Sequence, residues 1–466
     1  MTGPALPVPY SESASQRRDV DRTRGTTQRT LILGGGISGL LAAWHLQRQG
    51  LEAEVWEASP APGGWAQTLA WPGPEGEPGF LERGPQSLRA GGCSAMERLL
   101  GELNLELRLP RPKGPRWLGK GGHRHPGPAT LPGLLRAPGL GPGDWARMLA
   151  EPFIPAGDQA DESLDAFFAR RLGMGFTREL LPALVAGVLA APPECLGVEA
   201  LPRLRRLEAK GGLLVGGLRA GSEHTLQPAG GTGALAQALS EGFGSLHRNR
   251  AARSLESLPG GRWRVHGEGV MAEAGAVVLA LPAQEAGALL GTLAPAAAQA
   301  LGAIPRLDLR VWHSRHAWVP GWERGIGLLI HPPEGRGLLG AVSFAADDPR
   351  GVPGLLQVRA YVGGAYPVEP ALSAWPGVFG ALRHWLPELP EAIQVREEPC
   401  PGAFPLLEPG HGTRVARLLQ DLPPNLHWLG AARFGPGLSD LAEGTEAWAA
   451  RFRRPGPEPE PAGFRG

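Results

Sequence analysis

The chain has 466 residues, and 46 Lys+Arg stand against 45 Asp+Glu, so its charge nearly cancels. That length implies two or three domains with a core that needs no staples, and the charge balance argues against a nucleic-acid partner. Three widely separated cysteines (Cys93, Cys195, Cys400) exclude a disulfide framework and any Cys-x-x-Cys metal or redox pair, and no run of 18 apolar residues offers a transmembrane helix.

Residues 1–28 are polar, with arginines and acids interspersed, and they predict a loose tail rather than a secretory signal. Thr30-Leu-Ile-Leu then reads as a strand, leading into Gly34-x-Gly36-x-x-Gly39. Ile37, Leu40, Leu41 and Trp44 follow with helical spacing. Gly34 permits the tight turn, Gly36 lets a pyrophosphate approach the backbone, and Gly39 packs the helix close to the strand. The helix start supplies free N–H groups and partial positive charge. Glu52 to Glu57 predicts the next strand, ending in an acid 18 residues after Gly39, where a carboxylate can accept from a ribose diol.

Residues 91–220 carry apolar helical patterns broken by prolines, such as Ser163–Leu172 and Leu180–Ala191. The second run is too short to span a bilayer and reads as a buried helix. The 230–285 and 425–452 stretches predict further pieces of an α/β sheet. Between them, 300–400 is strand-rich, with Leu307–His313, Gly325–His331 and Leu356–Val362. Residues 454–466 form a second Pro/Gly/Glu-rich tail. The chain holds 43 arginines and only three lysines, a GC-rich codon signature that devalues most arginines as chemical signals. His123 and His125 lack metal-ligand spacing and nearby Cys or Asp, so no metal is expected. No Gly-x-Ser-x-Gly elbow supports a serine hydrolase.

The glycine fingerprint does not distinguish FAD from NAD, but other segments do so by resemblance. Glu57-Ala-Ser-Pro-Ala-Pro-Gly63-Gly64-Trp65-Ala-Gln-Thr68 resembles the second glycine motif of flavin amine oxidases. Glu82-Arg-Gly84-Pro85-Gln86-Ser87 resembles the acidic-x-Gly-Pro motif of one branch, the oxygen-dependent protoporphyrinogen oxidases. Pro115-Arg116-Trp117-Leu, Gly230-Gly-Thr-Gly-Ala-Leu-Ala-Gln-Ala-Leu239, Ala280-Leu-Pro-Ala283 and Trp428-Leu-Gly430-Ala431 resemble further motifs of that branch. The matches run in order from about residue 30 to 450. One departure is Ser439, before Asp440, where the branch commonly carries Asn.

The resemblance implies an α/β fold with a discontinuous Rossmann-type FAD-binding domain at 29–90, 222–285 and 401–453. A helical membrane-associating domain at 91–221 and a mixed-sheet substrate-binding domain at 286–400 would complete it. The implied reaction removes six hydrogens from a porphyrinogen in three two-electron steps, hydride passing to flavin N5 and molecular oxygen yielding hydrogen peroxide. Gly34, Gly35, Gly36, Ile37, Ser38, Gly39 and Glu57 would hold pyrophosphate and ribose. Gly63, Gly64, Trp65, Gly84, Pro85, Gln86 and Ser87 would lie along the flavin, and Ala252 at the adenine end. Ala431, Pro436, Gly437 and Leu438 would meet the isoalloxazine. Arg116 would anchor a substrate propionate through two parallel hydrogen bonds. Ile326, Gly327 and Leu329 would sit against the macrocycle, Gly327 letting a carbonyl approach the reacting carbon and Leu329 acting as a wedge, with Tyr361 stacked on the opposite face. The resemblance also admits a homodimer, and a cytoplasmic enzyme with peripheral contact on the inner face of the cell membrane.

Coproporphyrinogen III oxidation is an alternative on the same motifs. A flavin amine oxidase of another branch is a second alternative, although the closing segment offers only Arg433-Phe434 where such enzymes place an aromatic cage. A non-catalytic flavoprotein is a third.

Overall fold

The computed structural model describes residues 29–90, 94–108, 114–127, 136–157, 161–219, 224–242, 244–345, 348 and 350–452. Both expected tails, and Cys93, lie outside the described residues.

Apolar runs without alternation make strands buried on both faces. All four residues of Thr30–Leu33 are buried, as are all four of Ala53–Trp56. They form the middle of a five-stranded parallel sheet ordered Leu246–His247, Ala53–Trp56, Thr30–Leu33, Ala276–Leu279 and Leu426–Trp428. The helix Ile37–Arg48 buries Leu40, Leu41, Ala42 and Ala43 completely. It packs against the helix Leu438–Ala449, so the two ends of the folded chain share one core. Ala252–Leu258, Arg262–Gly267 and Val270–Ala274 form a separate antiparallel sheet.

A seven-stranded sheet is ordered Ala392–Pro405, Arg306–Ala317, Leu355–Gly363, Leu338–Ser343, Gly327–Ile330, Arg116–Lys120 and His123–Pro126. Its strands pair antiparallel, except Gly327–Ile330 with Arg116–Lys120. Period-two alternation divides its two faces. Trp312, Leu328, Val358 and Ala360 pack with Val378, Leu382 and Trp385 of the helix Trp375–Trp385. The opposite face presents His313, Arg315, Gln357 and Arg359 to the segment 71–84 of the parallel-sheet half. Two stretches, holding three strands, therefore depart from the expected division. Arg116–Pro126, read with the helical segment, joins the mixed sheet because Arg116 pairs with Gly327. Ala392–Pro405 runs unbroken across the expected 400/401 boundary.

The helical segment includes Pro142–Leu149, Leu164–Leu172, Met174–Glu179, Leu181–Leu189 and Arg203–Ala209. A buried ion pair ties it together: Arg171 Nε donates to Glu151 Oε1 at 2.8 Å. Glu151 also accepts from the Leu213 N–H at 2.7 Å and the Leu214 N–H at 3.1 Å, satisfying the start of another helix. Among the described residues no helix is long and apolar enough to cross a membrane.

Candidate active site

The parallel sheet, the mixed sheet and the helix Leu181–Leu189 together line a cavity of about 570 Å³. The glycine loop forms one wall. Gly34 has φ of +106°, and a Cβ there would strike the Ala280 carbonyl. A Cβ on Gly39 would strike the Gly34 carbonyl oxygen. Both positions thus require glycine for the backbone itself. Gly36 differs: a Cβ there meets nothing within 4 Å, and the residue lines the cavity. The open space in front of it is a cradle for a ligand. The helix beginning at Ile37 has no side-chain cap, so its first N–H groups are left for a bound anion.

Glu57 closes this loop. Its Oε2 accepts from the Gly35 N–H at 2.6 Å, and its Oε1 accepts from the Ser59 N–H at 2.8 Å. The carboxylate lines the cavity with lone pairs to spare for a diol. Gly63 N–H donates to the Gly35 carbonyl at 2.7 Å, which fastens the second glycine motif to the first. Trp65 stands next in the wall, with the Arg83 guanidinium 5.0 Å from its ring centroid.

The Gly84–Gln86 loop is held by buried Glu82. Glu82 accepts from Thr68 Oγ1 at 2.9 Å, Thr232 Oγ1 at 2.7 Å and Arg350 Nη1 at 2.8 Å. Arg350 also donates to the Gln86 carbonyl at 3.1 Å. The wall is completed by Ala431, Pro436 and Leu438, where the helix Leu438–Ala449 begins. Burial raises Asp440, in that helix's first turn, to about 6, against the pull of Arg206 and Arg89.

The expected cofactor residues Gly34, Gly36, Ile37, Ser38, Glu57, Gly63, Gly64, Trp65, Gly84, Pro85, Gln86, Ala431, Pro436 and Leu438 all line this cavity. Gly35, Gly39, Ser87 and Gly437 are chain neighbours of lining residues without lining it themselves. Ala252 begins an outer strand and lies outside the lining, although nearby Arg250 N–H donates to the Glu57 carbonyl at 2.8 Å. An open cradle, two helix starts and an acid at ribose spacing fit a dinucleotide.

Beyond that zone the wall becomes mostly apolar, with Arg306 and Arg359 among it. Leu309, Val311, Leu339 and Tyr361 come from the mixed sheet, and Ala186, Gly187, Val188 and Ala190 from the helical segment. Of the expected substrate residues only Tyr361 lines the cavity. Leu329 stands behind the wall, its side chain against Gly187. Ile326, just before the strand, and Gly327, its first residue, are buried, Ile326 N–H donating to Ser343 Oγ at 2.8 Å and Gly327 N–H to the Pro115 carbonyl at 3.0 Å. Arg116 packs over Gly327 and donates to the carbonyls of Pro115 at 3.0 Å and Gly114 at 3.2 Å. Burial lowers its pKa.

The sequence reading did not single out Arg83, Arg359, Cys400 or the Ala186–Ala190 helix end, all of which reach the wall. One signal was available. Gln357, Arg359 and Tyr361 alternate with apolar residues, marking a polar face on an otherwise buried strand.

Residues 37–438 match the model of the flavin containing amine oxidoreductases. The chain belongs to that family. It is 32% identical over 375 residues to human protoporphyrinogen oxidase, covering 72% of this chain and 77% of that protein. It is 30% identical over 206 residues to coproporphyrinogen III oxidase of Bacillus subtilis, covering 41% and 43% of the two chains. Among solved structures, a protein of Exiguobacterium assigned as a protoporphyrinogen oxidase superposes with TM-score 0.74 at 19% identity, over 92% of this chain and 99% of that one. Cyclohexylamine oxidase of Brevibacterium oxydans superposes with TM-score 0.67 at 17% identity, over 91% and 98%. These two likenesses establish the fold. As a flavin containing amine oxidoreductase the chain is an FAD-dependent oxidoreductase, and its cavity is where the two glycine motifs of the family converge.

Proposed function

We propose that the protein oxidises protoporphyrinogen IX to protoporphyrin IX with molecular oxygen, releasing hydrogen peroxide, as a step of haem formation. The observation that carries this reading is a continuous cavity whose dinucleotide zone runs directly into a mostly apolar wall containing Tyr361. The family and the human relative support the same chemistry.

FAD, when bound, supplies two-electron acceptance. The chain's own residues supply everything else. The uncapped start of Ile37–Arg48 favours the pyrophosphate, and Glu57 orients the ribose. Leu309, Val311, Leu339 and Ala186 offer the flat macrocycle an apolar surface and exclude water. Tyr361 stacks on the macrocycle. Leu329 braces the wall from behind through Gly187. Arg116 stands outside the cavity lining, but its guanidinium holds only carbonyls and has no carboxylate partner among the described residues, so a propionate that extends to it gains a charge-assisted pair. Among the described residues that line the cavity there is no histidine, and Glu57, at the ribose end, is the acid. The pyrrole N–H protons therefore leave through substrate tautomerisation and water.

In this reading the helical segment touches a membrane surface. Its Phe153 is 87% exposed and Leu149 72% exposed, large apolar side chains with little reason to face water.

The test is the stoichiometry of the FAD-reconstituted protein on protoporphyrinogen IX in air. Three hydrogen peroxide molecules per porphyrin formed support the reading. FAD bound with no porphyrin formed contradicts it. The Bacillus subtilis relative favours one second reading, coproporphyrinogen III as substrate.

A further inference from the structure

We propose that Arg359 is a positioning residue for the flavin, clamping the Arg83–Gly84 backbone and lending the cavity a positive charge that favours the reduced cofactor. The proposal rests on the FAD-dependent reading above.

The alternation of Leu355–Gly363 places Gln357, Arg359 and Tyr361 on the face directed at the 71–84 segment. Arg359 is only 3% exposed and lines the cavity. Its Nη2 donates to the Gly84 carbonyl at 2.7 Å and the Arg83 carbonyl at 3.3 Å. Its Nε and Nη1 are buried with no hydrogen-bond partner among the described residues. Its guanidinium carbon lies 5.0 Å from the Tyr361 ring centroid.

Among the described residues no acid is free to compensate it. Glu398 is taken by Arg396, whose Nε donates to it at 2.7 Å. Glu82 is taken by Arg350 at 2.8 Å. Among the described residues Arg359 forms no ion pair with a carboxylate. His313, directly across from it in the ladder, is also buried with both ring nitrogens unpartnered. Burial, and then the charges of Arg359, Arg396 and Arg315, hold His313 well below the usual imidazole range, so it is neutral.

A buried cation without a counter-charge is expensive to hold. A negative charge arriving beside it is stabilised more than it would be in water. A two-electron-reduced flavin carries such a charge, whereas the oxidised ring is neutral. The guanidinium shares the cavity wall with the Gly84–Gln86 loop, so its field reaches the cofactor zone through protein rather than bulk water. Cys400 lines the same cavity, its Sγ 3.8 Å from the Arg83 carbonyl that Arg359 holds, and burial, with Glu398, pushes its thiol up against the opposing pull of Arg359 and Arg83.

The clamp and the charge are separable. A glutamine at 359 retains an N–H donor for the Gly84 carbonyl but no charge, and a lysine retains the charge. The experiment measures the midpoint potential of bound FAD by equilibration with a redox dye. Arg359→Gln lowers the potential by about 30 mV or more, a tenfold loss in the two-electron reduction equilibrium. Arg359→Lys returns most of it. Arg359→Met, which removes the charge at similar length and leaves no buried polar group behind, lowers the potential likewise and serves if Arg359→Gln does not fold. An unchanged potential in whichever of these two variants folds with FAD bound overturns the proposal. Wild-type protein that takes up no FAD overturns the flavoenzyme reading and this proposal with it.

Discussion

Arg350 donates through Nη1 to Glu82 Oε1 at 2.8 Å, joining residues 268 positions apart. The bond links the loop before Leu355–Gly363 of the mixed sheet to the strand that feeds the Gly84–Gln86 wall. Both side chains are buried, and Arg350 also holds Asp348 through Nε at 2.9 Å and Nη2 at 2.8 Å.

Removing Arg350 leaves two buried carboxylates without their cation, and removing Glu82 leaves Arg350 with Asp348 alone. Glu82→Ala is expected to cost about 3–5 kcal/mol of stability. It also frees the two threonine hydroxyls that Glu82 accepts from. Arg350→Met costs a similar amount, and the double variant costs clearly less than the two together. Urea unfolding of the four proteins gives the comparison. Additive losses would mean that the two residues act independently.

The glycine loop separates fold from cofactor. Gly39→Ala drives a Cβ into the Gly34 carbonyl and destabilises the protein with or without FAD. Gly36→Ala meets no protein atom within 4 Å, so the apo-protein keeps its stability. FAD affinity falls by about tenfold or more because the pyrophosphate loses its close approach to the backbone. Thermal melts of the apo-proteins and flavin titrations separate the two effects. Equal loss of apo stability in both variants would remove the assignment of Gly36 as a ligand cradle.

Asp440 gives a pH signature. Its folded pKa is raised from 3.8 to about 6, so the folded state binds the proton more tightly than the unfolded state does. The stability linked to this carboxyl is therefore greatest below pH 4 and is lost as pH rises through 6. The displacement corresponds to at most about 3 kcal/mol. Asp440→Asn abolishes this slope, so its stability relative to wild type improves between pH 4 and pH 7. A difference that stays constant across that range would show that Asp440 titrates normally.

Tyr361 and Arg116 separate binding from cofactor retention. Tyr361→Ala is expected to raise KM by about tenfold, the loss of one aromatic contact of about 1–1.5 kcal/mol, with FAD content unchanged. Arg116→Gln raises KM similarly through the lost carboxylate pair. An unchanged KM in Arg116→Gln would leave Arg116 only the task of locking the Gly114–Pro115 and Gly325 carbonyls.

The parts of this architecture legible in the sequence are those whose causes are local. Gly34, Gly36 and Gly39 are fixed by one turn and its helix, and Glu57 by a strand of known length. The buried strands announce themselves as apolar runs. The pairing of Arg116 with Gly327 is not local, so a segment read with the helices became part of a sheet. Nor is the placement of Ala186–Ala190 over the cavity, since an apolar helix can bury against any apolar surface. Arg350 and Arg359 were hidden differently. Among 43 arginines, nothing in composition distinguishes a buried guanidinium clamping a backbone from one in water.

The most direct measurement is fluorescence-detected oxidation in air by the FAD-reconstituted protein, with kcat/KM compared for protoporphyrinogen IX and coproporphyrinogen III. A clear preference for protoporphyrinogen IX is the expected result. A preference for coproporphyrinogen III would contradict the substrate assigned here while keeping the flavin site, and bound FAD with turnover of neither would contradict the porphyrinogen account altogether.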